Sequence, residues 1–366
     1  MKWERVVLGD ICRPKQWRTL SKAEMSHQGF PVYGANGQIG FSETYTHEKP
    51  VILVGCRGSC GTVHVTEPKS YANGNAMALD ALNERRVFLK FLEKFLRYRG
   101  FSDTISGTSQ PQIIRANIVK VDVFLPPLAE QVRIAGILDA ADALRAKRRE
   151  ALAQLDTLLQ STFLDMFGDP VTNPMGWEER LLGEICDVRD GTHDSPRYVE
   201  SGHPLLTSKN FKDGEIDFEA ANLISDEDFT QINKRSKVGV GDLVMPMIGT
   251  IGNPVLVEHE PHFAIKNVAL IKFAKGSPDN RFIRALLCSH YFDHITLKAN
   301  RGGTQKFVAL KDLRGMPIPL PRADLQHRFA AIVESVERQK ARMRAHLAEL
   351  DALFASLQSR AFSGTL

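Results

Sequence analysis

Two long stretches of this chain carry apolar residues at steps of three and four. In the first these are Ile134, Ile137, Ala141, Leu144, Leu152, Leu155 and Leu159. In the second they are Leu325, Phe329, Ile332, Val336, Met343, Leu347, Leu350 and Phe354. That period predicts an amphipathic helix in each place, and the near-heptad spacing suits a narrow seam between two helices. Pro126-Pro127 and Pro321 precede the stretches, where proline fixes helix entry, and Gly168 and Gly364 stand at their ends as C-terminal stops. Some 40 residues at helical rise span roughly 60 Å, which exceeds the width of a small domain. The helices are therefore expected to hold things apart as well as cover a core. An ordinary helix–helix core is the plainer alternative.

The two stretches are copies. Leu125 matches Leu320, Gln131 matches Gln326, Arg133 matches Arg328 and Leu155 matches Leu350, all at an offset of 195. A globular-looking region precedes each one. The first opens WERVVLGDIC (Trp3 to Cys12) and the second WEERLLGEIC (Trp177 to Cys186), at an offset of 174. The chain is thus a tandem duplication whose second unit holds about twenty extra residues. The ends of the units match and their middles diverge, as expected of two readers of different targets.

Within the units the period shortens and glycine interrupts it. FPVYGANGQIGFSETY (Phe30 to Tyr45) places Gly34, Gly37 and Gly40 around Tyr33 and Asn36. Its G-x-x-G-x-x-G spacing is not the dinucleotide fingerprint, so it reads either as hairpin turns or as a loop that approaches a ligand. Val51 to Val65 and Gly241 to Val257 each read as strand, turn and strand, with Gly58-Ser59-Cys60-Gly61 aligned to Gly249-Thr250-Ile251-Gly252. Strands follow at Asn73 to Asp80 and Ile265 to Phe273. Helices are predicted at Val87 to Phe101 and Arg281 to Ile295, with Lys90, Lys94, Arg97 and Arg99 as a solvated face of the first. Each unit ends on a glycine-loosened polar loop that leads into a strand and then proline, and Gln110 aligns there with Gln305. The second unit also carries a turn rich in Asp, Gly, Thr and Pro from Val188. Asp190, His193 and Asp194 in that turn match known metal-ligand spacings poorly, so a turn is a more economical reading than a metal or acid–base site.

Bulk composition narrows the class. The 366 residues are 43% hydrophobic and 25% charged, which excludes a disordered chain and suggests two or three globular domains. No apolar run is long enough to span a membrane, and the charged start MKWERVVLGD lacks a signal-peptide core. Five scattered cysteines argue against a disulfide framework, so a reduced, cytoplasmic protein is expected. Net charge is only +4, but residues 1–126 hold 17 Lys/Arg against 11 Asp/Glu while residues 174–321 hold 18 against 20. A polyanion bound by the second unit would have to meet a local face.

PVYGANGQIGF, DGTHDSPRYVESGHPLLTSKN, GDLVMPMIGTIGN, GTSQP/GGTQK and LPPLAEQVRIAGILD, together on a duplicated frame, resemble the DNA specificity (S) subunits of type I restriction-modification systems. The resemblance covers the whole chain. It implies an α+β fold with two tandem mixed α/β target-recognition domains, residues 1–126 and 174–321, separated by two long helices, residues 127–173 and 322–366. The helices would pack as an antiparallel coiled coil in a pseudo-twofold duplicated frame. Each domain would read one half of an asymmetric bipartite site in double-stranded DNA, and a 60 Å rod matches roughly 18 base pairs. The partners it implies are two methyltransferase (M) subunits, which use S-adenosylmethionine to methylate adenine, and two restriction (R) subunits, which use ATP and Mg. This chain would bind no cofactor or metal and hold no catalytic residue. In line with that, the sequence has no N-P-P-Y (Asn173-Pro174-Met175-Gly176 is not one) and no Walker A lysine motif.

By position against the family's recognition loops, the candidate DNA-binding residues of the first domain are Asn36, Arg57, Ser59, Ser109, Gln110 and Gln112. Those of the second are Thr192, His193, Arg197, Tyr198, Lys209, Thr250, Thr304, Gln305 and Lys306. Arg can grip guanine, and Gln or Asn adenine, through paired hydrogen bonds, while most such contacts go to phosphate. The residues alone leave two other readings open: a coiled-coil scaffold with two protein-binding domains, and an enzyme with an unrecognised site.

Overall fold

The computed structural model describes residues 3–107, 110–212, 214–249, 251–299 and 307–366. The chain forms two compact units, one of Met1–Arg149 with Ala345–Leu366 and one of Glu150–Arg344.

The first unit begins with β1 (Glu4–Val7), the one-turn α1 (Leu8–Ile11) and β2 (Arg13–Gln16). The hairpin β3 (Phe30–Gly34) and β4 (Gly37–Ser42) follows, then β5 (Ile52–Gly55), β6 (Val63–Val65), β7 (Tyr71–Ala72) and β8 (Ala76–Asp80). It continues through α2 (Leu89–Arg99), α3 (Arg115–Ile118) and β9 (Asp122–Leu125) into the long α4 (Leu128–Phe167). One sheet has the order β2-β8-β5-β6 and a second the order β4-β3-β7. β1 pairs with β9 from Glu4↔Leu125 to Val7↔Asp122, which closes the globular segment just before Pro126. β5 and most of β8 are buried, as their unbroken apolar runs require. The basic face of α2 is paired rather than simply solvated. Lys90 and Lys94 both reach Asp139 of α4, at 3.0 and 2.6 Å, Arg97 pairs with Glu93, and Arg99 pairs with Asp103.

The second unit repeats this plan with β10 (Glu178–Leu181), α5 (Leu182–Ile185), β11 (Asp187–Asp190), β12 (His203–Leu206), β13 (Phe211–Lys212), β14 (Glu215–Ile216) and β15 (Asn222–Ile224). Next come α6 (Asp226–Ser236), β16 (Leu243–Pro246), β17 (Val255–Leu256), β18 (Ala264–Ile265) and β19 (Val268–Lys272). The unit ends with α7 (Asn280–Leu287), α8 (His290–Ala299), α9 (Leu310–Arg314), β20 (Pro317–Leu320) and the long α10 (Ala323–Ser363). Its sheets have the orders β11-β19-β16-β17 and β15-β12-β18, and β10 pairs with β20 as β1 does with β9. The hairpin β13–β14 and helix α6 hold much of the extra length. The single helix expected over Arg281–Ile295 is two. The Ser289 hydroxyl donates to the Leu286 carbonyl at 2.7 Å and accepts from the Tyr291 N–H at 3.2 Å, so it ends α7 and opens α8.

Each unit contains an antiparallel pair of helix halves. In the first, Arg133 of α4 donates to the Leu366 carbonyl beyond α10, and Arg145 meets Asp351 at 2.6 Å, so one numbering climbs as the other falls. In the second, Lys340 meets Asp156 at 2.7 Å, and Phe329 packs edge-on to Phe163 at 5.6 Å. The less exposed positions step by four and three through Ala141, Arg145, Arg148, Leu152, Leu155 and Leu159 of α4. On α10 they step through Val333, Val336, Lys340, Met343, Leu347 and Leu350. Leu144 and Ile332, expected in the seam, are 55% and 37% exposed. A strict heptad passes one residue beyond each. Arg145 takes the seam position and lays its guanidinium over Phe354 at 4.2 Å.

Candidate nucleic-acid interface

In the first unit, three loops meet at one end of the four-stranded sheet. Beyond β5, the N–H groups of Cys56 and Arg57 both donate to the Asn75 carbonyl, at 2.9 and 3.2 Å, and the Ile113 N–H donates to the Cys56 carbonyl at 3.0 Å. These bonds lay residues 110–113 beside the loop, with Arg57 bridged to Gln112 and the Cys60 thiol donating to the Pro111 carbonyl at 3.0 Å. The Thr62 hydroxyl donates to the Ser59 carbonyl at 2.9 Å and also to the Ala35 carbonyl at the tip of the β3–β4 hairpin. Asn36, Arg57, Ser59, Gln110 and Gln112 are thereby gathered at one edge, all exposed but the half-buried Gln112. Ser109 lies outside the described residues. Underneath, His64 packs against the hairpin turn at Gly37, and burial pushes its pKa down, assisted by Arg97.

In the second unit, the same end of the corresponding sheet carries the second set. Asp190 ends β11, and its buried carboxylate meets Nε2 of His193 at 2.8 Å and also pairs with Arg235. Nδ1 of His193 lies 2.7 Å from the Asn267 side chain, so both ring nitrogens are engaged and the ring is held rigidly. The Thr192 N–H donates to the Ile265 carbonyl at 3.0 Å, and the Lys266 N–H donates to the Leu206 carbonyl at 2.9 Å. Thr192 and the turn at Ser208–Asn210, which presents exposed Lys209, thus flank the end of β18. Arg197 and Tyr198 are exposed on a segment tied to β15 by the Val199 N–H to Leu223 carbonyl bond at 3.0 Å. A cleft of about 310 Å³ between this segment and α6 is lined by Thr192, Asp194, Ser195, Pro196, Gln231 and Arg235. Thr250, Thr304, Gln305 and Lys306 lie outside the described residues.

Reading along the chain missed the residues that hold these edges together: Thr62, Asn75, Asn267 and Arg235. Their bonds join loops far apart in sequence and leave no local pattern. The one available signal is positional, since Asn75 and Asn267 stand directly before the matched strands β8 and β19.

The two edges are built alike. Cys60 N–H donates to the Gly58 carbonyl, and Ile251 N–H donates to that of Gly249. Gly58 and Gly61 have φ of +73° and +83°, and Gly249 and Gly252 have +77° and +85°, a left-handed backbone that a side chain would strain. The buried thiols Cys12 and Cys186 also match. Burial pushes both up to about 12, so neither is a nucleophile at neutral pH. Among the described residues, no group of three His, Cys, Asp or Glu side chains is placed to hold a metal, and no helix is long and apolar enough to cross a membrane.

This doubled architecture agrees with comparison to known proteins. The profile of the type I restriction modification DNA specificity domain matches residues 1–154 and again residues 174–352. The chain belongs to this family. It is 26% identical over 268 residues to the type I restriction enzyme MjaVIII specificity subunit of Methanocaldococcus jannaschii, covering 68% of this chain and 62% of that one. It is 26% identical over 281 residues to the type I restriction enzyme EcoBI specificity subunit of Escherichia coli, covering 66% and 58%. The crystal structure of a type I restriction-modification S subunit from M. genitalium superimposes with a TM-score of 0.65 at 17% identity, over 99% of this chain and 96% of that one. The fold is therefore that of a type I specificity subunit: two mixed α+β units and two long helices.

Proposed function

We propose that this chain is the DNA-reading subunit of a type I restriction-modification complex, in which each unit reads one half of a split, asymmetric site. The observation that carries the reading is the repeated sheet end. Each unit closes with a two-stranded sheet, β1–β9 or β10–β20, and offers an exposed polar edge at the end of its four-stranded sheet. Arg57, Asn36 and Gln110 on one edge and Thr192, Lys209 and Arg197 on the other supply donors suited to base edges and phosphate oxygens. Residues 1–126 and 174–321 serve as the target-recognition domains, and the helical segments 127–173 and 322–366 set the unread spacer between them. The helices also dock two methyltransferase subunits, which carry S-adenosylmethionine and methylate adenine, and two restriction subunits supply ATP- and Mg-dependent cleavage. The chain itself reads and positions; the chemistry belongs to its partners.

Adenine methylation mapped across the host genome, with and without this gene, tests the reading. Loss of one split motif with a fixed unread gap is the expected result. An unchanged pattern, with the methyltransferase subunit expressed, would sink it.

A further inference from the structure

The duplication makes the two edges comparable residue by residue. The bridge between Arg57 and Gln112 in the first unit corresponds to a bridge between Ile248 and Phe307 in the second. Both are locked by the same backbone bond on the inner side: Ile113 N–H to the Cys56 carbonyl at 3.0 Å, and Val308 N–H to the Met247 carbonyl at 3.0 Å. The glycines that follow share the same left-handed geometry. Position for position, the second edge therefore presents two hydrocarbon side chains where the first presents a guanidinium and an amide. Ile248 rests on the core beneath, but Phe307 is 47% exposed and, among the described residues, belongs to no buried cluster. Packing among the described residues does not account for an exposed aromatic ring at this place.

Resting on the DNA-reading function proposed above, we infer that the two domains read bases by different chemistry at this shared position. The first uses hydrogen bonds from Arg57 and Gln112. The second uses apolar contact from Phe307, backed by Ile248, with the 5-methyl group of thymine in the major groove. The methyl group is the one apolar feature the major groove offers, and it separates T·A from the other pairs without a hydrogen bond. Arg and Gln suit guanine and adenine in turn. Specificity at this position of the second half-site then falls on a thymine, and it is set by Phe307.

The test uses the full chain assembled with its methyltransferase subunit and a duplex containing the mapped motif. Each thymine is replaced singly by deoxyuridine, which removes only the methyl group. One replacement, confined to one half-site, is expected to weaken binding about fourfold, the effect of losing one buried methyl. The slope of affinity against salt stays unchanged, because phosphate contacts are untouched. Phe307→Ala removes that thymine–uracil difference, Phe307→Leu keeps part of it, and Arg57→Ala leaves it intact. Tight binding of the parent duplex with no uracil effect in either half overturns this inference and leaves the DNA-reading function standing. A uracil effect that survives Phe307→Ala also overturns it. Failure to bind the mapped duplex at all removes both.

Discussion

Gln131 and Gln326 occupy the same buried position in the first turn of the two long helices, and each accepts a backbone N–H and donates to the carbonyl of a proline just before its helix. The Gln131 carbonyl accepts from the Phe88 N–H at the start of α2 at 2.8 Å, and its amide donates to the carbonyls of Arg86 and Pro126. The Gln326 carbonyl accepts from the Asp279 N–H at the start of α7 at 2.8 Å, and its amide donates to the Pro321 carbonyl at 2.7 Å. One side chain thus ties each long helix to the globular segment that precedes it. Replacing Gln131 by Ala leaves the Phe88 N–H and two carbonyls without their partner, at about 1–3 kcal/mol for each group that stays buried. Gln131→Ala is expected to cost about 2–4 kcal/mol in urea unfolding, and Gln326→Ala less, since one fewer carbonyl is abandoned. Equal stability of either variant and the parent would contradict this anchoring role.

These anchors show what the sequence carried and what it did not. The offset of 195 between the helices was visible because both faces of a repeat, polar anchors included, are copied together. Leu144 and Ile332 read as seam residues because they are apolar, but the seam passes one residue beyond each, at Arg145 and Val333. Arg145 and Lys340 do not look like seam residues until Asp351, Phe354 and Asp156 are beside them. The break at Ser289 was hidden for a related reason. A serine inside a helical period is silent until its hydroxyl partners are known. Asn36, Arg57 and Gln112 follow from position against the family's recognition loops, and only long-range bonds through Thr62, Asn75 and Cys56 show that they share one edge.

The junction of α2 with α4 makes stability depend on acid. Burial alone would push the Asp139 carboxyl up, but hydrogen bonds from Lys94 and Lys90 outweigh it and hold the pKa below the usual 3.8. A carboxyl depressed on folding stabilises fully above its unfolded pKa, and that contribution is lost as pH falls through the folded value. Asp139→Asn is therefore expected to be less stable than the parent at pH 7 by at most about 1 kcal/mol, given the partial exposure of the pair. The gap should close below about pH 4. Urea midpoints at a series of pH values check it, and a gap that stays constant into strong acid would refute the assignment.

Gly55 lies where the first edge leaves the sheet. A Cβ there would fall on the Ser59 carbonyl and the Thr62 hydroxyl, with the Ala35 carbonyl at 3.1 Å. Gly55→Ala is expected to push the Arg57 loop away from the β3–β4 hairpin and break the bond from Thr62 to Ala35. DNA affinity should fall at least tenfold, the scale of one lost base contact. Because Gly58 has open space around its missing side chain, Gly58→Ala strains only the local backbone and should lose less. Comparing the two variants in one binding assay separates edge geometry from general damage, and the reverse order would count against it.

Arg57 is exposed, and its backbone is fixed on both sides by Asn75 and Gln112, so the guanidinium is presented from a rigid base. A planar fork held this way suits paired hydrogen bonds to a guanine edge, which a flexible ammonium without the rigid fork reproduces less well. Arg57→Ala and Arg57→Lys are therefore both expected to weaken binding to the mapped site by about 1–3 kcal/mol and to relax preference at a single base pair of one half-site. A phosphate contact behaves otherwise. Lysine would largely restore it, the loss would be uniform across sequences, and Arg57→Ala would lower the salt slope by about one. Measuring affinity for the motif and its single-base variants at three salt concentrations decides between the two. A loss on Arg57→Ala that is uniform across the single-base variants, with a lower salt slope, would place Arg57 on the backbone and leave base reading at this edge to Gln112 and Asn36.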